Sequence, residues 1–180
     1  MKYSEAQLGP RERLERSAEF LTISDRDLQL VRQTAHLVRQ HAGSIVNELY
    51  DNLTRFPESR DLLDKSVAVT GEGIERRREA LTAWLGNVLT LIEEASDWLP
   101  DAVRSTGAVH AGSSKSSIQV PLDLMVMTMA SLQNSINMLL VGVADASAET
   151  VAAWGKLLWL TFDMMAAAYD DELPAAADTT

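Results

Sequence analysis

The sequence predicts a domain built from α-helices alone, and three observations support this fold class. Apolar residues recur every three or four positions over most of the 180-residue chain, which is the spacing of one helix face. No segment of useful length alternates apolar and polar residues as a half-buried strand does. Nine glycines and five prolines are fewer than average for this length, which disfavours loop-rich β architectures.

The first third of the chain predicts four helices. A short amphipathic helix precedes Ser24, which can cap the next helix together with Asp27 three positions later. The apolar face of this second helix is formed by Leu28, Val31, Ala35 and Val38. Gly43 is expected to end it. A third helix is predicted over residues 44–56, and Pro57 begins a short fourth one that ends near residue 63.

The remaining two thirds predict a loop and four more helical segments. The loop covers residues 66–73, and the helix after it covers about 72–95, with a solvated charged run, ERRRE, at 75–79. Further helices are predicted from residue 100 to His110, from Pro121 to about Gly142, and over 148–172. We divide the chain into an N-terminal extension with the short helix (1–22), a helical domain (23–172) and a C-terminal tail (173–180).

Composition and charge exclude several classes of protein. The chain contains no cysteine, so it has no disulfide, no cysteine-ligated metal centre and no covalently attached haem. A formal net charge of −10 opposes binding to nucleic acid or to anionic lipid. The first residues lack the apolar core of a signal sequence, and uninterrupted apolar runs are far shorter than a membrane span. We therefore expect an unprocessed cytoplasmic protein with no nucleic-acid or membrane partner.

Histidine is scarce, and each of the three residues is weighed as a metal ligand. His36 and His41 lie five positions apart on one predicted helix, so they face different directions and cannot bind one metal together. His110 ends an apolar helix, where a lone histidine is more often a hydrogen-bonded core residue than a ligand. The metal-binding, Gly-rich and nucleophile motifs of common enzymes are absent, so no enzymatic activity is expected.

Two segments resemble the globin domains of globin-coupled sensors and of the related protoglobins. Residues 47–60, NELYDNLTRFPESR, are similar to the segment of that family that reads FYDHL followed by FPE. Residues 106–111, TGAVHA, and 118–124, IQVPLDL, are similar to the family's IGxVHARI and IPxxL segments. The resemblance covers about residues 21–169. It implies a globin-like fold of seven to eight helices with an extra N-terminal pre-A helix.

The resemblance also implies a haem b group, iron protoporphyrin IX, held by one axial imidazole, and His110 matches the family's proximal ligand. Tyr50 matches the distal tyrosine, whose hydroxyl can donate a hydrogen bond to dioxygen or another diatomic gas. Four apolar residues are our candidates to pack against the ring: Leu81, Leu85, Met125 and Met129. In an ordinary helical core these side chains would simply fill space. Lys115, in the following loop, is a candidate partner of a haem propionate.

The sequence departs from the family directly after the histidine. Gly112 stands near the position of a family arginine, and a serine-rich insertion of about four residues precedes Ile118. No cyclase, kinase or methyl-accepting segment follows the domain in this sequence. The chain is therefore expected to be the sensor part of a longer protein or a single-domain globin.

We predict a haem-binding globin sensor domain that binds dioxygen, or another diatomic gas, and signals through its last two helices. The resemblance implies a homodimer through these helices and an output domain or partner protein that receives the signal. The short N-terminal helix is expected to cover the base of the domain or to pack across the dimer. The alternative is a haem-free globin fold that acts as an interaction module, like the sensor domains of stressosome proteins. A plain oxygen carrier is a further alternative.

Overall fold

The computed structural model describes residues 9–94, 99–112, 118–144 and 146–172. Within these ranges the chain forms seven helices and no strand, which confirms the predicted all-α class. In chain order they are α1 (Pro10–Phe20), α2 (Asp25–Arg55), α3 (Pro57–Thr70), α4 (Ile74–Glu93), α5 (Leu99–Ala111), α6 (Leu122–Ala144) and α7 (Ala148–Glu172). The predicted pre-A helix is present as α1. Residues 1–8 and 173–180 of the two predicted terminal segments lie outside the described residues.

A capping box begins α2. The hydroxyl of Ser24 accepts a hydrogen bond from the backbone N–H of Asp27 at 3.2 Å, and the Asp27 carboxylate accepts one from the Ser24 backbone at 2.8 Å. The hydrogen bond from the Ser24 hydroxyl lowers the pKa of Asp27, so the carboxylate stays charged at neutral pH. Lys156 Nζ donates to the same carboxylate at 3.0 Å. The cap therefore also attaches the start of α2 to α7.

The prediction that Gly43 ends a helix is wrong, because α2 continues without a break from Asp25 to Arg55. Gly43 itself is exposed, whereas Ala42 and Ile45 beside it are buried, so the apolar face of the helix passes the glycine uninterrupted. A glycine inside a helix costs about 1 kcal/mol relative to alanine. Burial of the continuous face outweighs that cost, since each large apolar side chain contributes about 1.5–3 kcal/mol.

The predicted loop at 66–73 is too long, because α3 continues to Thr70. The helix ends at Gly71, whose φ of 72° is the left-handed conformation that glycine adopts without strain. The N–H of Gly71 donates to the carbonyl of Val67 at 2.8 Å and so satisfies one of the last carbonyl groups. Only residues 71–73 then separate α3 from α4.

The core lies between α2, α4, α6 and α7, while α5 packs on α7. Its fully buried side chains include Val31, Val38, Ile136, Leu140, Trp154 and Met164. The indole N–H of Trp154 donates to the hydroxyl of Thr34 at 2.8 Å, so the largest buried side chain leaves no unpaired donor. This packing joins α2, which carries Tyr50 of the site described below, to α7.

An ion pair attaches α1 to the rest of its own chain. Arg13 donates from Nε and from a terminal nitrogen to the two carboxylate oxygens of Asp163 on α7, at 3.0 and 2.9 Å. Ser17 donates to the same carboxylate at 2.7 Å. Burial alone would raise the pKa of Asp163, but the hydrogen bonds from Arg13 and Ser17 outweigh this effect and hold the pKa below its usual value. The helix therefore packs on α5 and α7 of its own chain.

Apolar residues lie on the outer face of α6 as well as on its inner face. Met127, Met138 and Val141 are 63%, 67% and 58% exposed. Among the described residues, one segment, Leu122–Val143, is long and apolar enough to cross a membrane by length and composition. A core helix of a water-soluble protein meets the same criteria, and 33% of the most apolar window is buried here. The segment is therefore only a weak indication of a membrane span.

Helix α5 approaches α7 most closely at Gly107. A Cβ atom added to this glycine would overlap the backbone carbonyl of Met165 and lie 2.7 Å from its Cα atom. These are backbone atoms, so they cannot move aside as the end of a flexible side chain can. A glycine is therefore required for this contact, which positions the part of α5 that carries His110.

We expect Gly107→Ala to lower the free energy of unfolding by about 1–3 kcal/mol, because the added methyl group forces α5 and α7 apart. The matched control is Gly43→Ala, since a Cβ at this helical position meets nothing within 4 Å. Removing the conformational freedom of glycine there should stabilise the protein by about 0.5–1 kcal/mol. Urea denaturation followed by circular dichroism measures both changes. Equal stability of the two variants would contradict the close contact.

Candidate functional site

The side chain of His110 lies half-buried near the C-terminal end of α5. Its Nδ1 atom is 2.8 Å from the backbone carbonyl oxygen of Thr106, one turn earlier. Because a carbonyl oxygen can only accept a hydrogen bond, Nδ1 carries a proton, and in the neutral ring the lone pair is then on Nε2. A neutral imidazole fixed in this tautomer is the form that coordinates a metal ion. His110 can therefore act as a ligand through Nε2.

The backbone around His110 is fixed after the helix ends. Gly112 has a φ of 91°, a left-handed conformation that terminates α5 two residues after the histidine. The backbone carbonyl of His110 accepts a hydrogen bond from the N–H of Val120 at 2.8 Å. Gly112, which departs from the family pattern, thus acts as a helix terminator, and Val120 secures the last turn.

A hydrogen bond between two helices secures the turn that orients the imidazole. The indole N–H of Trp84 on α4 donates to the hydroxyl of Thr106 at 2.9 Å. That hydroxyl in turn donates to the carbonyl of Ala102 at 3.1 Å. The same threonine whose carbonyl holds His110 is therefore anchored to α4. Sequence analysis did not find this contact, although a threonine four residues before the candidate ligand was a signal for it.

Tyr50 is buried on α2 with 9% of its surface exposed, and no hydrogen bond to its hydroxyl is found within the described ranges. In those ranges the fully buried side-chain atoms without a partner are Arg78 Nε and Asn137 Oδ1, so the Tyr50 hydroxyl still reaches solvent. Burial raises the pKa of Tyr50, and the positive charges of Arg77 and Arg78 only partly oppose this effect. The phenol therefore stays protonated at neutral pH. It remains able to donate a hydrogen bond to a ligand.

Arg78 stabilises the part of α2 that carries Tyr50. Its guanidinium group lies over the tyrosine ring, 5.6 Å from the ring centroid. It also donates to the side chains of Asn47 and Asp51 at 2.9 and 2.8 Å. Sequence analysis placed Arg78 in a solvated charged run, and this is wrong, because only 19% of its side chain is exposed. Periodicity alone could not show that one of three consecutive arginines turns towards α2.

The four apolar residues predicted to line a haem pocket differ in how deeply they are buried. Leu85, Met125 and Met129 are buried and belong to one continuous core cluster. Leu81, one turn before Leu85 on α4, is only half-buried. Ala111, next to His110 on α5, belongs to the same cluster. The core therefore reaches the end of α5, and contact of these four residues with a haem ring stays a prediction.

A half-open cavity of about 640 Å³ lies between α2, α3 and α6. Its apolar wall residues include Leu49, Leu53, Leu62, Leu124 and Met127. The volume lies in the range of small-molecule pockets. None of the six residues predicted to bind haem lines this cavity, which is therefore a separate feature of the domain.

The side chains available as metal ligands restrict what can bind at His110. His36 is exposed and His41 half-buried on α2, and Lys115 lies outside the described residues. In the part of the chain that the structure describes, no cluster of three or more His, Cys, Asp or Glu side chains could hold a metal ion. One imidazole does not hold a bare metal ion tightly. A metal at His110 must bring its other ligands, as the iron of a porphyrin does.

Comparison with known protein families supports the resemblance. The family model described as Protoglobin matches residues 11–174, a range that includes every predicted site residue and reaches from α1 to the end of α7. A search of curated proteins finds no match. The extent of the family match, on an all-helical fold, shows that this chain belongs to the protoglobin family.

Proposed function

We propose that this protein binds haem b through His110 and senses a diatomic gas, with dioxygen as the first candidate. Membership in the protoglobin family indicates a globin-type domain that binds haem and a gas. The observation that carries the proposal is the 2.8 Å hydrogen bond from His110 Nδ1 to the carbonyl of Thr106. It leaves Nε2 as the free donor atom of a ring held at the edge of an apolar core.

When bound, haem would supply an iron that takes a diatomic gas as a further ligand. The residues of this chain perform the remaining tasks. His110 would bind the metal through Nε2, and the Thr106 carbonyl holds the imidazole in one orientation. The buried Leu85 and Met129 belong to the core that excludes water from this side of the domain. Binding and signalling, rather than catalysis, are the activities that this arrangement supports.

Tyr50 supplies the contact that distinguishes between gases. A hydrogen bond from a phenol to an acceptor with partial negative charge contributes about 1–3 kcal/mol. A bound ligand with partial negative charge on its outer atom, such as dioxygen, would provide such an acceptor. Carbon monoxide is less polar and would gain less from the same donor. The raised pKa of Tyr50 keeps the proton available for this hydrogen bond.

The signalling part of the proposal is a homodimer in which α6 forms most of the interface. The exposed residues Met127, Met138 and Val141 follow one side of this helix. By contrast, most of α7 is buried within its own chain. Exposed apolar side chains that share one helix face are typical of interaction sites. An output domain or partner protein, and a cytoplasmic location, complete the proposal.

The first test is His110→Ala, which should abolish the Soret band of the purified, haem-loaded protein because the axial ligand is lost. His36→Ala is the matched control, since this exposed histidine lies on α2 and should leave the absorption spectrum unchanged. Circular dichroism verifies that both variants are folded. A wild-type protein that stays colourless after haem addition would instead support the haem-free interaction module. A Soret band that survives the His110 substitution would exclude this residue as the ligand.

Tyr50→Phe should raise the dissociation rate of dioxygen by about 5–150-fold, which corresponds to the loss of a hydrogen bond worth about 1–3 kcal/mol. The dissociation rate of carbon monoxide should change much less. Stopped-flow measurements on the reduced protein compare the two gases directly. The same change for both gases would show that the substitution alters the pocket generally rather than removing a selective donor.

Met138→Glu should convert the dimer to a monomer, because a charge then lies in the apolar interface. Val69→Glu is the control, since Val69 is 57% exposed but lies on α3. Sedimentation velocity measures the mass of each variant. A wild-type protein that sediments as a monomer would refute the dimer without affecting the proposal of haem binding.

A further inference from the structure

Val120 connects the histidine to the last helix through its two backbone groups. Its N–H donates to the carbonyl oxygen of His110 at 2.8 Å. Its carbonyl oxygen accepts a hydrogen bond from the hydroxyl of Tyr169 on α7, also at 2.8 Å. The residue that follows is Pro121, which restricts Val120 to extended backbone conformations. The two hydrogen bonds are therefore held by one stiff segment and shift together.

The donor on α7 is well suited to a permanent hydrogen bond. Tyr169 is 8% exposed, and its ring belongs to the main core cluster. Burial raises its pKa to about 12, so the hydroxyl keeps its proton at all physiological pH values. Removing the hydroxyl would leave the Val120 carbonyl without this partner, while the aromatic ring could still fill the same space.

The close contact between α5 and α7 lies near these two hydrogen bonds of Val120. Gly107 touches the backbone of Met165, which precedes Tyr169 by one turn on α7. Gly107 itself precedes His110 by one turn on α5. The histidine-bearing end of α5 is thus joined to the same face of α7 twice, once by backbone packing and once through Val120.

We propose that Tyr169 is a positioning residue for the axial histidine. Through Val120 it fixes the end of α5 that carries His110, and it links the state of the ligand site to the packing of α7. This inference rests on the proposed function, because His110 must be the haem ligand for Tyr169 to affect it. It assigns a role to a side chain that does not touch the site.

The test compares Tyr169→Phe with Trp159→Phe in the haem-loaded protein. Trp159 lies on the same helix and donates one side-chain hydrogen bond, to Gln133 on α6 at 2.9 Å, away from His110. Resonance Raman spectroscopy of the reduced protein measures the iron–histidine stretching frequency. Hydrogen exchange measures the opening of residues 118–120, and thermal unfolding reports the loss of general stability.

We expect Tyr169→Phe to keep its Soret band, to shift the iron–histidine frequency and to accelerate exchange at 118–120 by about fivefold. Carbon monoxide should alter exchange at the end of α7 in the wild type but not in this variant. Trp159→Phe should leave the frequency and the exchange at 118–120 unchanged, even where it lowers the melting temperature.

Two results would overturn the inference alone: an iron–histidine frequency in Tyr169→Phe equal to that of the wild type, or equal shifts in both variants. Equal shifts would mean that any destabilisation of α7 changes the iron–histidine frequency, whether or not the Tyr169 hydrogen bond is lost. A wild-type protein without a Soret band would overturn the proposed function and this inference together, so the two failures are distinguishable.

Discussion

The hydrogen bond from His110 Nδ1 to the Thr106 carbonyl is the interaction on which the chemistry of this domain depends. It selects the tautomer, aims the ring and leaves Nε2 free. Three other features maintain it: the Trp84 hydrogen bond to Thr106, the packing of Gly107 on α7, and the Val120 N–H on the His110 carbonyl. Each contacts the last two turns of α5. A metal ligand needs such support, because a small misalignment of the ring weakens the metal bond.

The haem-free alternative uses the same fold but predicts different hydrogen bonding. A haem site needs an imidazole nitrogen and a phenol that can still take a ligand, whereas an interaction module does not. In this structure no hydrogen bond to the Tyr50 hydroxyl is found within the described ranges, and the half-buried His110 is bonded to Thr106 through Nδ1. Both groups can therefore take a ligand, as the proposed haem site requires.

Much of the fold could be predicted from the sequence, because it depends on local signals. Ser24 and Asp27 marked the start of α2, Pro57 and Pro121 marked helix starts, and apolar spacing gave the buried faces. The error at Gly43 arose because glycine is a helix terminator in isolation, whereas tertiary packing decides the outcome. The resemblance, not the periodicity, singled out His110 and Tyr50. Without it, a lone histidine carried no functional signal.

The contacts that support the site could not be predicted in the same way. Trp84 and Thr106 are 22 residues apart, and Val120 and Tyr169 are 49 residues apart. Periodicity tells which face of a helix is buried but not which residue of another helix it meets. The role of Arg78 was hidden for the same reason, since its partners Asn47 and Asp51 lie on a different helix.

Residues 112 and 120 lie near the two ends of the connection between α5 and α6, and each is held in place by its own contacts. Gly112 stops the helix, and Val120 is fixed to both His110 and Tyr169. Each doubling of the length of a loop costs only about 0.6 kcal/mol of closure entropy. The backbone hydrogen bonds at the two anchors therefore depend little on the number of residues between them. The same anchoring makes the connection a natural place to insert a reporter sequence.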